Sequence, residues 1–388
     1  MSNERLGNGR KSQPGVAFAT VMVAYVAVTL GESLLAPVLP VFTAELGLDT
    51  VSSARLLGVV SVAAGVGNLV GGWVLSRFTA RAAAFTASAL SFVGCLVAAA
   101  AGSEATFLAA QTVIGFAAGL YFAAGVFSVG ALAPPGRKGR AMGRYGIAYS
   151  LGLAIAAGAI AVFGTSSWRG VYVGSAVLAG VIAVAFTRVT LPDADPIRKD
   201  DLRAAVGLLG APVLVGGVAA LAQFGLVAYI PTYAVDEWSL TASAAALVLF
   251  IGRVVSVPMK AVAGWMIDRF GAKTSARIVG VSMIGIGLVW LLSPVVAVGA
   301  IASILMASAA GAMFPMANVV AVERFGDLGG LLGVFRAAQM VIAGVSAWLV
   351  GVAAEYLGFT QALVVGTVAL ALILFVRPST RTVLIDHR

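Results

Sequence analysis

The chain has 388 residues, of which 60% are hydrophobic and only 11% charged. No soluble domain of this length is that apolar, so a multi-span membrane protein in the lipid bilayer is the expected class. The net charge of +9 raises nucleic acid as a partner, but the placement of the cations along the chain supplies a simpler cause, and no nucleic-acid partner is expected.

The first fifteen residues are polar, with Arg5, Arg10, Lys11 and Pro14, and lead into a long apolar run without a small-residue cleavage pattern. That run reads as a first transmembrane helix and not as a removed signal peptide. A span needs about 20 apolar residues. Such runs place helices at 16–40, 53–76, 82–102, 105–132, 141–163 and 169–187. A polar stretch from Arg188 to Arg203, with Pro192 and Pro196, interrupts the pattern. Six more runs follow at 207–235, 241–267, 274–293, 296–322, 329–353 and 359–377. The expected organisation is a tail at 1–15, a six-helix bundle at 16–187, a linker at 188–206, a second bundle at 207–377 and a tail at 378–388.

Cations favour cytoplasmic loops. With the N-terminus inside, the inside segments hold 20 of the 25 Lys and Arg residues; the exceptions are Arg55, Arg169, Arg253, Lys260 and Arg336. The other loops carry mainly acids, among them Glu45, Asp49, Glu104 and Asp236. Both termini and the linker are therefore expected in the cytoplasm.

Two helix-ending stretches repeat. Gly264-Trp-Met-Ile-Asp268-Arg269-Phe270-Gly271-Ala272-Lys273 has a degraded copy 192 residues earlier, Gly72-Trp-Val-Leu-Ser76-Arg77-Phe78-Thr79-Ala80-Arg81. A second pair, Gly139 to Gly143 and Gly329 to Gly333, is offset by 190 residues. Similar offsets imply two homologous halves, head to tail. The pattern Gly-x-x-x-Asp-Arg-x-Gly-x-Lys between two membrane helices resembles the signature loop of the major facilitator superfamily of secondary transporters. The match is complete at Gly264, Asp268, Arg269, Gly271 and Lys273. In the first half Gly72, Arg77 and Arg81 remain, while Ser76 and Thr79 replace the family's Asp and Gly. The resemblance implies an all-α fold of twelve transmembrane helices, in two six-helix bundles related by a pseudo-two-fold, around a central cavity.

Within the spans, charges are the informative residues, because each is costly in lipid unless it pairs or meets water. Glu32 lies in Gly31-Glu-Ser-Leu-Leu-Ala-Pro37-Val-Leu-Pro40, roughly 20 Å along the first helix. Tyr25, Thr29 and Glu32 share one helical face. An acid at this point resembles proton-coupled exporters of the superfamily; the competing reading is a Glu permanently paired with an Arg, or one capping a kink near Pro37. In helix 8, Arg253, Ser256 and Lys260 share a face. A mid-membrane Arg resembles the anion-binding Arg of monocarboxylate-type members, and its planar fork suits a carboxylate; it would equally serve as the counter-ion of Glu32. Lys260 is either a ligand or a snorkelling cation. Arg336 and Gln339 stand one turn apart in helix 11, for anion contact or for bracing. Asn68, Gln111, Tyr121, Tyr145, Tyr149, Gln223, Tyr229, Tyr233 and Asn318 are the other polar residues that could line the cavity, each also explicable as packing.

Two features depart from the antiporter pattern. Helix 4 reads Gln111-Thr-Val-Ile-Gly115 where those members often carry Arg-x-x-Gln-Gly, and helix 5 has no proline between Gly143 and Trp168. Cys95 and His387 are the only residues of their kinds, so no internal disulfide, His/Cys metal site or Ser/His/Asp set is available. No phosphate-cradling Gly-x-x-x-x-Gly-Lys-[Ser/Thr] run appears. The expectation is a non-enzymatic, cofactor-free, monomeric transporter working by alternating access. It exports a small organic compound in exchange for protons carried by Glu32; the alternative is uptake or exchange of a small organic anion bound by Arg253. A non-transporting sensor is the remaining class. Asp268, Arg269 and Lys273 are expected to latch one state of the cycle.

Overall fold

The computed structural model describes residues 14–133, 138–163, 165–192, 210–325 and 329–377. Residues 1–13 of the first tail, the second tail, most of the linker and the first residues expected in helix 7 lie outside them. The described residues are almost wholly helical, with no strand among them. They form twelve helices that run back and forth: α1 (Pro14–Leu46), α2 (Thr50–Arg77), α3 (Ala80–Ala100), α4 (Glu104–Leu132), α5 (Lys138–Phe163), α6 (Trp168–Phe186), α7 (Gly210–Asp236), α8 (Ala242–Phe270), α9 (Ala272–Leu292), α10 (Val296–Phe325), α11 (Gly329–Leu357) and α12 (Phe359–Phe375). Eleven of these are long and apolar enough to cross a bilayer, and α12 is a shorter apolar helix. Their outward faces carry large exposed hydrophobes, such as Leu69, Val177, Val181, Trp265 and Leu349, as lipid-facing helices do.

Turn chemistry sets several starts. Asp49, Thr79, Ser103 and Thr241 precede α2, α3, α4 and α8, and each accepts the backbone N–H three residues on, at Ser52, Ala82, Thr106 and Ala244. The bonds from Ser52 hold the Asp49 carboxyl below the ordinary range.

Between spans, small residues let backbones touch. A Cβ at Gly115 would stand 2.1 Å from the Val60 carbonyl, and one at Gly119 would stand 2.0 Å from the Ala64 carbonyl. The Gly115-x-x-x-Gly119 pair thus seats α4 directly on α2. A similar approach, Gly58 against Gly344, joins α2 to α11, so helices of the first and last six meet backbone to backbone.

The two ends of the molecule differ. One apolar core joins both halves at the end bearing Glu45, from Leu39, Phe42 and Phe107 to Tyr229 and Trp290, and in the last six helices it continues to Ala272 and Val320 at the other end. At the opposite end the first six helices keep a separate core, built around Tyr25, Tyr121, Tyr145 and Phe186. The Glu45 end is further tied by ion pairs, Arg169 to Glu45 at 2.7 Å and Arg55 to Glu104 at 2.8 Å. Both pairs are partly solvated and each contributes at most about 1 kcal/mol.

Candidate functional site

Proline organises the first element of the site. Pro37 has no N–H to give to the carbonyl four residues back, and its ring crowds that carbonyl, which belongs to Ser33. The helix of α1 accordingly breaks there, into Pro14–Ser33 and Leu35–Leu46. Glu32 sits in the last turn before the break. α7 breaks too: its helix runs to Ala220, widens into a π-helical turn at Leu221–Leu226, tightens to a 3₁₀ turn at Val227–Tyr229 and resumes at Ile230. π-turns of this kind re-aim side chains. Gln223 lies in the widened turn.

Two cavities meet at Glu32 and Tyr149, which line both. The larger, about 550 Å³ of empty space, adds Ser33, Leu57, Gln223, Phe224 and Arg253. The smaller, about 380 Å³, adds Tyr25, Thr29, Asn68, Phe122 and Arg336. Tyr149 lies within electrostatic reach of Glu32, Arg336 and Arg253. Among the described residues no cation comes within ion-pair distance of the Glu32 carboxylate. Arg253 is 5% exposed and lines the larger cavity.

Arg336 is held differently. It donates to Gln339 Oε1, whose Nε2 donates in turn to the Gly216 carbonyl of α7 at 3.2 Å. Its guanidinium lies 4.2 Å from the centre of the Phe122 ring. Tyr25 stacks on Tyr145 at 3.9 Å between ring centres, and Tyr149 lies tilted to it at 5.6 Å.

Lys260 lines neither cavity. It donates to the Gly146 carbonyl at 3.3 Å and to Ser150 Oγ, so it straps α8 to α5. Gln111 also stands elsewhere, donating to Tyr172 Oη at 3.0 Å between α4 and α6. Tyr229 donates to the Ala347 carbonyl at 2.8 Å and packs on Phe359. Asn318 is exposed on α10 and touches neither cavity. No pattern in the chain singles out Phe122 and Phe224, since an aromatic in a helix apolar all round does not declare its face.

The repeated loop ends α2 and α8 in related ways. Trp73 meets Phe78 edge to face at 6.2 Å, and Trp265 meets Phe270 at 5.8 Å. The turns differ at one residue. Gly271 adopts φ +78°, which glycine permits, whereas Thr79 at φ −80° uses its hydroxyl to cap the next helix. Gly264 and Lys273 flank the second turn, and Gly72 and Arg81 the first. Helix α8 continues through Asp268 and Arg269 to Phe270, three residues beyond the expected end. Among the described residues Asp268 forms no ion pair.

The sequence profile of the Major Facilitator Superfamily matches residues 21–347, and matches again at 213–384. The chain belongs to the major facilitator superfamily. No curated protein matches it in sequence. Solved structures of superfamily proteins share its fold. A bacterial homologue of the human lysosomal transporter Spinster, inward-facing and unoccupied, is 12% identical, with 94% of this chain and 96% of that one aligned at a TM-score of 0.75. The xylose transporter XylE from E. coli, partially occluded and inward-open, is 16% identical over 94% and 98% of the two chains, also at 0.75. The E. coli fucose:proton symporter FucP is 17% identical over 92% and 96%, at 0.66. The chain is thus a multi-pass membrane protein with the superfamily's transporter fold.

Proposed function

We propose that this superfamily member carries a small organic anion across the membrane by alternating access, with Arg253 as the anion's ligand and Glu32 as the proton-exchanging group. One observation carries the reading: Glu32, Arg253 and Arg336 line the two central cavities, and among the described residues neither arginine is ion-paired to Glu32. Had Glu32 and Arg253 been permanent counter-ions, burial would have driven them together, since an unpaired charge in a low-dielectric interior is costly. Their separation leaves each free to meet a ligand or a proton. An excess of cations favours an anionic cargo.

The cytoplasmic placement of both termini follows from the distribution of Lys and Arg. It makes the Glu45 end the outer one, where the Leu35–Leu46 part of α1 packs against the Ile230–Asp236 part of α7. The halves 16–187 and 207–377, acting as one monomeric unit, are the moving bodies of the proposal.

Proton-coupled export of an amphiphilic compound remains the second reading. The aromatic walls, Tyr25, Phe122, Tyr149 and Phe224, favour it. Arg253→Lys separates the two. Under the anion reading, uptake of labelled carboxylates into liposomes containing this variant falls at least about tenfold, because a point charge does not replace a bidentate fork. Carboxylate uptake unchanged by Arg253→Lys would remove Arg253 as the ligand, whereas dye extrusion by the unaltered protein without any carboxylate uptake would support export and sink the anion reading.

A further inference from the structure

The smaller cavity contains an acceptor that nothing in the protein answers. Asn68 is 4% exposed and lines that cavity. Its Nδ2 donates to the Ala64 carbonyl at 2.9 Å. This fixes the amide's orientation, since the reverse would set two acceptors face to face. Oδ1 is left buried without a hydrogen-bond partner. An unanswered buried acceptor costs about 1–3 kcal/mol. Such a cost is recovered when a ligand brings a donor.

Arg336 lines the same cavity. Gln339 and Phe122 hold its guanidinium in place, and the only hydrogen bond it makes among the described residues is the one to Gln339. Its remaining N–H groups form a preorganised fork. Asn68 and Arg336 both line this cavity, so a guanidinium with N–H groups to spare and an unanswered buried acceptor belong to the same walls.

We infer that Arg336 and Asn68 form a second ligand station, selecting carboxylates that carry a hydroxyl or amine donor close to the carboxyl group. The inference deepens the anion reading above and rests on it. Hydroxy acids and amino acids share this chemistry, and the test tells them apart.

Purified full-length protein in detergent would be titrated calorimetrically with propanoate, 2-hydroxypropanoate and alanine. At least one of the two donor-bearing acids should bind about tenfold more tightly than propanoate. A hydroxy-acid specificity favours 2-hydroxypropanoate, and an amino-acid specificity favours alanine. In Asn68→Leu the ratio of donor-bearing acid to propanoate affinity should shrink to within about twofold. Equal binding of all three acids by the unaltered protein overturns the inference and leaves the anion reading standing; it would mean that water answers Asn68. An advantage that survives Asn68→Leu also overturns it. Binding of none of the three would remove both readings. The comparison in the unaltered protein decides the matter even where the variant does not fold.

Discussion

Asp268 lies in the last turn of α8, where the helix dipole presents negative charge and an acid is unfavourable. It is exposed and forms no ion pair among the described residues. A residue that contributes nothing to its own helix is better explained by another state of the cycle, in which a neighbouring helix N-terminus meets it. Asp268→Asn should therefore leave the melting temperature unchanged or slightly raised while transport falls severalfold. Thermal melts and flux assays on the same preparation check this, and normal flux would remove the latch. The motif was readable because its residue types are unusual at a membrane helix end. The partners of Gln111, Tyr229 and Asn318 were not readable. Each sits in a helix that is apolar on every side, so nothing in the sequence distinguishes a cavity-facing position from one facing another helix. Glu32, Tyr25 and Thr29 were legible as a group because three polar residues at helical spacing mark a face.

Helices fared in the same way. Hydropathy located all twelve, since a bilayer admits little else. It missed the widened turn in α7, because a π-turn changes the hydrogen-bond register without changing the composition. The break in α1 was foreshadowed by Pro37, yet the helix runs on to Leu46 where a shorter one, ending at 40, was expected. Pro40 sits inside the second piece, which shows that an apolar segment packed among neighbours tolerates a missing bond. A glycine inside a span serves close packing or bending alike as far as sequence goes, and the geometry assigns Gly119 to packing. Gly119→Ala places a Cβ 2.0 Å from the Ala64 carbonyl, on a backbone that has no room to give. Overpacking of this kind costs about 1–3 kcal/mol. Gly174→Ala, with nothing within 4 Å of its Cβ, is the control. Thermal melts should show a clear loss for the first and little change for the second; equal melting points would contradict the direct seating of α4 on α2.

On the scale of the whole molecule, the two halves close over a charged, partly aromatic cavity. They are joined at α2–α11 by facing glycines and at α5–α8 by Lys260. The repeat offset announced two halves, but only the fold revealed that both cavities share Glu32 and Tyr149 as a common wall. Under the proposal, that wall is where binding of an anion and movement of a proton would be coupled. With Glu32 ionised, the cavity holds one negative charge against the Arg253 and Arg336 guanidiniums, and protonation strengthens its pull on an anion. Binding and proton uptake are then linked reciprocally. The most direct test uses purified protein in liposomes with a pH-sensitive dye trapped inside. Small carboxylates, with and without a hydroxyl or amine, are added one at a time to the unaltered protein and to Glu32→Gln. The account predicts a carboxylate-triggered pH change that disappears in Glu32→Gln while carboxylate binding persists. Carboxylate movement without proton flux, or proton flux undisturbed in Glu32→Gln, would contradict it.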